Sequence, residues 1–303
     1  GYHIIHSYAP GEVTPEQAHE AGVEFARRLL GDKYEAVVCT HTDRDHLHCH
    51  IVFNSVSSVP VLSVNISDGV DMPIIMYHSV LKDTDLSGKY IVTPDTLKND
   101  INFLKNKGYT FVSAQELIDY TNGTSKLPDK PVMLTFDDGY YNNYLFAYPI
   151  LKEFGFKAVL SVIGIQSEKY SQNGERSKYY SHMTWDDIKT SSDVFEIQNH
   201  SYNLHSFDKS RSGAKKQKGE DSEAYQKMLY DDLMKNQQLI KEKTGIDVDV
   251  FTFPFGSMCA DAHAVVKEKL GYKGSLSCEE GINFITRDKE CLYKLKRYNR
   301  ADG

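Results

Sequence analysis

From Pro73 onward, short apolar runs alternate with amphipathic stretches, and this alternation limits the possible folds more than any other feature of the chain. "PIIMYHSV", "KPVMLTF", "KAVLSVIG", "VFEIQNH", "VDVFTFPFG" and "YKGSLSC" read as strands. Between them lie helical patterns. "TPDTLKNDINFLKNKG" has Pro94 early, Leu97, Ile101 and Leu104 on one face, and Gly108 at its stop. "YLFAYPILKEFGF", the long "SEAYQKMLYDDLMKNQQLIKEKTG" and "ADAHAVVKEKLG" follow the same period. Apolar strands alternating with helices predict a parallel sheet covered by helices. Six or more such units in about 230 residues fit an α/β barrel or near-barrel better than a small open sheet.

The first 58 residues have a different layout. "YHIIHSY" reads as a strand, followed by a helix with Thr14 as N-cap, Pro15 at its first position and Gly31 at its stop. "EAVVCTH" and "HLHCHIVFNSVS" then read as two β segments joined by a polar turn. Residues 59–72 lose periodicity and carry Ser, Asn, Asp, Gly and Pro, as a linker does. The expected division is therefore 1–58, a linker at 59–72, and 73–303.

Composition narrows the function. A net charge of −7 is poor footing for nucleic acid, since phosphate binding needs a basic face. The biased stretch "KSRSGAKKQKGED" reads as a solvated loop. Five cysteines at irregular spacings give no disulfide framework. No apolar run approaches the roughly 18 residues of a spanning helix. The N-terminus lacks the basic-then-apolar layout of a secretory leader, but with Gly1 rather than Met at the start this excludes nothing.

"VMLTFDDG" places Asp137 and Asp138 where an apolar strand breaks at Gly139. Catalytic groups of parallel α/β folds sit at such strand ends, although Asp-Asp-Gly on its own is also ordinary turn chemistry. A second strand ends in His200 and continues to His205, and a third ends in "FTFPFG", with Pro254 and Gly256 setting a rigid loop. Two imidazoles and a carboxylate make a common first shell for a hydrolytic divalent metal.

Residues 73–303 resemble the polysaccharide deacetylases, carbohydrate esterase family 4. The resemblance rests on "TFDDG" at Thr135–Gly139, the histidine motif at His200–His205, the proline loop at Phe253–Gly256 and "MTWDDI" at Trp185. It implies a distorted (β/α) barrel and a metal-dependent hydrolase that removes N-acetyl groups from an extracellular or cell-surface glycan. Peptidoglycan, chitin-like and poly-N-acetylglucosamine substrates all remain open. It also implies that Asp138, His200 and His205 hold the metal, most simply Zn²⁺, with Co²⁺, Ni²⁺ or Fe²⁺ as alternatives. Asp137 would be the general base, and a backbone N–H near Phe255 would meet the oxyanion. The five-residue histidine gap, wider than usual in the family, resembles the branch acting on poly-N-acetylglucosamine and points to His78 as the acid. Thr252 stands where many members carry an arginine, and Arg297 is the candidate substitute. Trp185, Tyr140, Phe255 and Arg297 are expected on the substrate side, with Tyr141 a further stacking candidate.

Residues 1–58 resemble part of a relaxase/mobilisation domain through "THTDRDHLHCHIVFNSV". Residues two apart on a strand share a face, so His46, His48 and His50 project together. The resemblance implies a second metal site at His41, His48 and His50, with His46 as a spare. This segment carries eight acidic and four basic side chains and no match to the relaxase tyrosine motif, which argues against DNA nicking. Two alternatives to deacetylation stand beside it: a DNA-nicking relaxase, and a glycan-binding homologue without turnover.

Overall fold

The computed structural model describes residues 2–9, 11–30, 34–42, 47–57, 62–63, 69–206 and 211–301. Its contacts divide the chain into two compact units, Gly1–Asp71 and Met72–Gly303.

The first unit is a four-stranded sheet with one helix. Strands β1 (Tyr2–Tyr8), β2 (Tyr34–Thr42), β3 (Leu47–Ser57) and β4 (Leu62–Ser63) lie in the order β1-β3-β2-β4. β3 is antiparallel to both β1 and β2, and β4 runs parallel to β2. Part of the stretch expected as linker therefore extends the sheet, because the edge of β2 offers unpaired backbone groups that a passing segment can satisfy. Helix α1 (Pro15–Leu30) packs Ala18, Val23 and Ala26 against Val38, Cys49 and Ile51. The helix comes close enough that a Cβ on Gly22 would lie 2.8 Å from the Cys49 sulfur. The basic stretch expected as a solvated loop lies partly outside the described residues, and Arg211 within it pairs with Glu220.

The second unit is the barrel. Strands β5 (Ile74–Tyr77), β6 (Pro131–Phe136), β7 (Ala158–Val162), β8 (Phe195–Asn199), β9 (Val250–Thr252) and β10 (Gly274–Leu276) succeed one another in chain order, each parallel to the next. The last strand, β11 (Tyr298–Asn299), pairs with β5. Just before it, Leu295 bridges to Leu276, donating to Ser275 O and accepting from Ser277 N, both at 2.8 Å. Residues 295–299 thus run from one edge of the sheet to the other and close it into a distorted barrel.

Helices α2 (Pro94–Asn106), α3 (Ala114–Thr121), α4 (Tyr148–Phe154), α5 (Gly164–Asn173), α6 (Trp185–Ser191), α7 (Ser222–Thr244) and α8 (Ala260–Ala264) belong to this unit. Local signals set their ends: Thr93 caps α2 through Thr96 N, and Ser113 with Glu116 forms a capping box on α3. One contiguous core joins Leu134 and Phe136 of β6 to Leu97 and Ile101 of α2 and to Tyr225, Leu229 and Leu233 of α7. β6 is buried along its whole length, as its unbroken apolar run requires. Among the described residues no helix is long and apolar enough to cross a membrane.

Candidate active site

Two carboxylates leave the end of β6. Asp137 N still donates to Tyr77 O at 3.0 Å, continuing the ladder to β5. Asp138 then adopts φ 72° and Gly139 φ 70°, so two successive left-handed residues turn the chain. Adjacent residues of an extended strand point to opposite faces; this turn instead brings both acids into one pocket. For an L residue such as aspartate the conformation costs roughly 1–2 kcal/mol and clusters at functional sites.

β8 delivers the histidines. His200 N donates to Val162 O at 3.1 Å, and the ring Nδ1–H donates to Thr252 O at 2.8 Å. That bond fixes the tautomer and leaves Nε2 pointing at Asp138. His200 Nε2 lies 3.4 Å and His205 Nε2 3.1 Å from Asp138 Oδ1. One donor atom from each of the three residues falls within 4.8 Å of the others. Asp138 Oδ1 is buried and lacks a hydrogen-bond partner of good geometry, so the donor set fits a divalent cation better than it fits a closed hydrogen-bond network. Burial pushes the Asp138 carboxyl up, but the His200 ring beside it and then His205 outweigh burial and hold the group far below the carboxylate range. Burial lowers His200, and the neighbouring Asp138 and Asp137 carboxylates more than restore it.

Asp137 belongs to a separate pair. Arg297 donates to it through Nη1 at 2.7 Å and Nη2 at 2.8 Å, and both side chains are buried. The remaining donors reach Ser277 O at 2.7 Å and Thr135 Oγ1 at 3.1 Å, with Cys278 Sγ at 3.8 Å. Burial raises the Asp137 carboxyl, but the Arg297 guanidinium and then His200 keep it below its ordinary value. Arg297 is therefore no substrate-side residue. With no exposed surface and a bidentate carboxylate partner, it is the counter-ion of Asp137. Thr252, where an arginine would be expected, instead meets Ser161 Oγ at 2.6 Å.

His78 follows β5 beside this pair. Its ring stands edge-on to Tyr90 at 4.9 Å, its Nδ1 is buried without a partner, and burial lowers its pKa against the charges of Asp137 and Asp138. Phe255, at φ 56°, sets its ring 4.3 Å from His205. Burial and then the charge of Asp138 raise the pKa of Tyr140.

Trp185 departs from expectation. It is 6% exposed and part of the hydrophobic core. As the first residue of α6, behind the Thr184–Asp187 capping box, its side chain is drawn inward rather than to the rim. The Tyr141 ring is covered by the Arg176 guanidinium at 4.2 Å. The sequence reading missed His182, which stacks on Tyr140 at 4.7 Å and on Tyr170 at 5.7 Å. Burial brings His182 down to about 4, with Asp138 and His205 in its field. It lies in an irregular loop, where no periodic pattern could have marked it.

In the first unit, His41, His48 and His50 also offer donor atoms within 4.8 Å of one another, on half-buried side chains. His41 faces His48 across the hairpin and Cys39 faces His50, with histidine ring centroids 4.5 to 5.1 Å apart. His46 lies outside the described residues.

The profile of the polysaccharide deacetylases matches residues 124–275, half of the chain. The chain belongs to the polysaccharide deacetylase family. A second profile, the MobA/VirD2-like nuclease domain of relaxases, matches residues 1–68. The poly-beta-1,6-N-acetyl-D-glucosamine N-deacetylase of Escherichia coli is 25% identical over 230 residues, which are 69% of this chain and 34% of that protein. A group II intron-interrupted relaxase of Lactococcus lactis is 48% identical over 56 residues, 18% of this chain and 10% of that protein. Among solved structures, a de-N-acetylase from Aggregatibacter actinomycetemcomitans superposes with TM-score 0.65 and 26% identity, covering 76% of this chain and 94% of that one. The chain thus spans about a third of the first relative and a tenth of the second.

Proposed function

We propose that the deacetylase unit is a metal-dependent hydrolase that removes N-acetyl groups from a glycan outside the cell, releasing acetate and leaving a free amine. One observation carries this reading: three metal-type donors converge beside a second carboxylate that an arginine keeps ionised. Asp138, His200 and His205 would hold the cation. A bound divalent cation, with Zn²⁺ the simplest occupant, lowers the pKa of water and polarises a carbonyl. Asp137, charged at neutral pH, accepts the proton of the attacking water. The backbone N–H of Phe255, on the turn after Pro254, would donate to the developing oxyanion. His78 returns a proton to the amine nitrogen as its bond to the acetyl carbon breaks. The relatives named above favour a β-1,6-linked N-acetylglucosamine polymer, with chitin-like and peptidoglycan glycans as comparison substrates.

Acetate release from N-acetylglucosamine oligomers of each linkage, by chelator-treated protein with and without added Zn²⁺ or Co²⁺, tests the proposal. Metal-stimulated release supports it. Binding of oligomers without release would instead mark a glycan-binding homologue.

For the first unit, the geometry of His41, His48 and His50 supports a second divalent-ion site. DNA nicking is the competing reading of that unit. Nicking of supercoiled plasmid that disappears in His48→Ala would establish it.

A further inference from the structure

The two histidines of the candidate site are joined by a loop that is itself part of no regular element. In a helix, an i,i+4 spacing aligns two side chains on one face; here the gap is five and the loop is irregular. His200 is anchored through its own ring to Thr252 O. His205 is only partly buried, with 22% of its side chain exposed, so its position depends on the path of residues 201–204.

That path is strained and tied from two sides. Ser201 sits at φ 71°, a left-handed conformation that a β-substituted residue keeps only when its surroundings over-determine it. From one side, the first turn of α5 donates Gly164 N to Ser201 O at 3.1 Å and Ile165 N to Tyr202 O at 3.0 Å. From the other, α7 presents Asp232 and Asn236, one turn apart on a single face. Asp232 accepts from Tyr202 N at 2.8 Å and Asn203 N at 2.9 Å. Asn236, fully buried, shares its amide N–H groups among Ser201 O, Val162 O and Asn199 Oδ1, at 3.0, 3.0 and 2.8 Å. Asn199 Oδ1 in turn accepts from Ser201 N at 2.8 Å. The backbone groups of Ser201 and Tyr202 and the N–H of Asn203 are thus satisfied from outside the loop, while Leu204 N donates to Ser201 Oγ at 3.1 Å within it; Gly164 is needed because a Cβ there would collide with Asn236 Oδ1.

We propose that Asp232 and Asn236 are positioning residues: α7 clamps the loop so that His205 meets the cation held by Asp138 and His200. The inference rests on the metal reading of that site. It assigns to a helix with no residue in the site the task of making a five-residue spacing competent.

The test is Zn²⁺ affinity of the whole chain, measured by competition with a chelator of known affinity, alongside the absorption spectrum of the Co²⁺-loaded protein. Asp232→Ala and Asn236→Ala should each weaken Zn²⁺ binding about 10–100-fold, as loss of outer-shell support does, and should alter the Co²⁺ bands. His205→Ala should weaken it too. Adding Asp232→Ala to His205→Ala should then cost nothing further, because the clamp acts through His205. Asp232 is half-exposed, so its variant decides the matter should Asn236→Ala fail to fold. Unchanged affinity and spectrum in Asp232→Ala, or full additivity with His205→Ala, overturns the clamp while leaving the metal reading intact. Wild-type protein that takes up neither ion overturns the metal reading and the clamp with it.

Discussion

The chain carries two histidine clusters of opposite construction. His41, His48 and His50 come from one hairpin, within ten residues of each other, and are half-buried. Asp138, His200 and His205 come from the ends of two strands about sixty residues apart and the loop after the second; two of the three are buried and the third is half-buried. The first needs only the two-residue period of a strand to form. The second needs a barrel, a left-handed turn at Asp138 and a braced loop. Donor convergence is common to both. In the barrel cluster a second carboxylate, Asp137, stands beside the donors and is paired with an arginine. The lesson is that a dense run of histidines shows where a metal can sit, while chemistry depends on what stands beside it.

The sharpest way to break this contrast is to delete a ligand from each cluster. His200→Ala should reduce acetate release to background, whereas His48→Ala should leave it unchanged. A loss in His48→Ala would mean that the two units are coupled. Next in size is Asp137→Asn, which removes the proposed base without removing a proposed ligand. It should slow turnover by about 10²–10⁴-fold while Zn²⁺ uptake, measured by equilibrium dialysis, persists.

Arg297→Leu tests the separateness of the base. Leaving Asp137 buried without its partner should cost about 3–5 kcal/mol of stability, read by denaturant unfolding. The pH dependence follows from the same pair. Asp137 is held below its ordinary value in the folded state, so its contribution is present above about pH 3.9 and is lost as pH falls through the depressed value. In Arg297→Leu burial is no longer opposed, so the acid limb of the kcat/KM profile should move to higher pH. An unmoved limb would mean that another group sets it.

Trp185→Ala separates core from rim. A buried tryptophan truncated to alanine costs about 3–5 kcal/mol of stability, with KM for oligomers changed least of all the quantities named here. A raised KM in a protein of unchanged stability would return Trp185 to the substrate face.

Much of this was legible in the chain because local rules govern it. The barrel strands are unbroken apolar runs, and Asp137 and Asp138 stand where one of them meets Gly139. The helix caps at Thr93 and Ser113 follow from side-chain bonds three residues long. Arg297 was visible as a basic residue near the C-terminus, but its partner lies 160 residues earlier. Trp185 was expected on the rim from the family motif that contains it, but the helix it begins turns it inward. His182 carried no periodic mark, and Asp232 and Asn236, though on a legible helix, gave no sign of the loop they would bind.

What the sequence determined by itself was the alternation of elements and their caps, since these rest on spacing along one strand or helix. What only the tertiary structure decided was which acid is paired with arginine, which is left to face the imidazoles, and what braces the loop between them. Those assignments depend on distances between segments far apart in the chain, and burial makes them consequential: away from water, a charge must find its partner wherever the fold has put one.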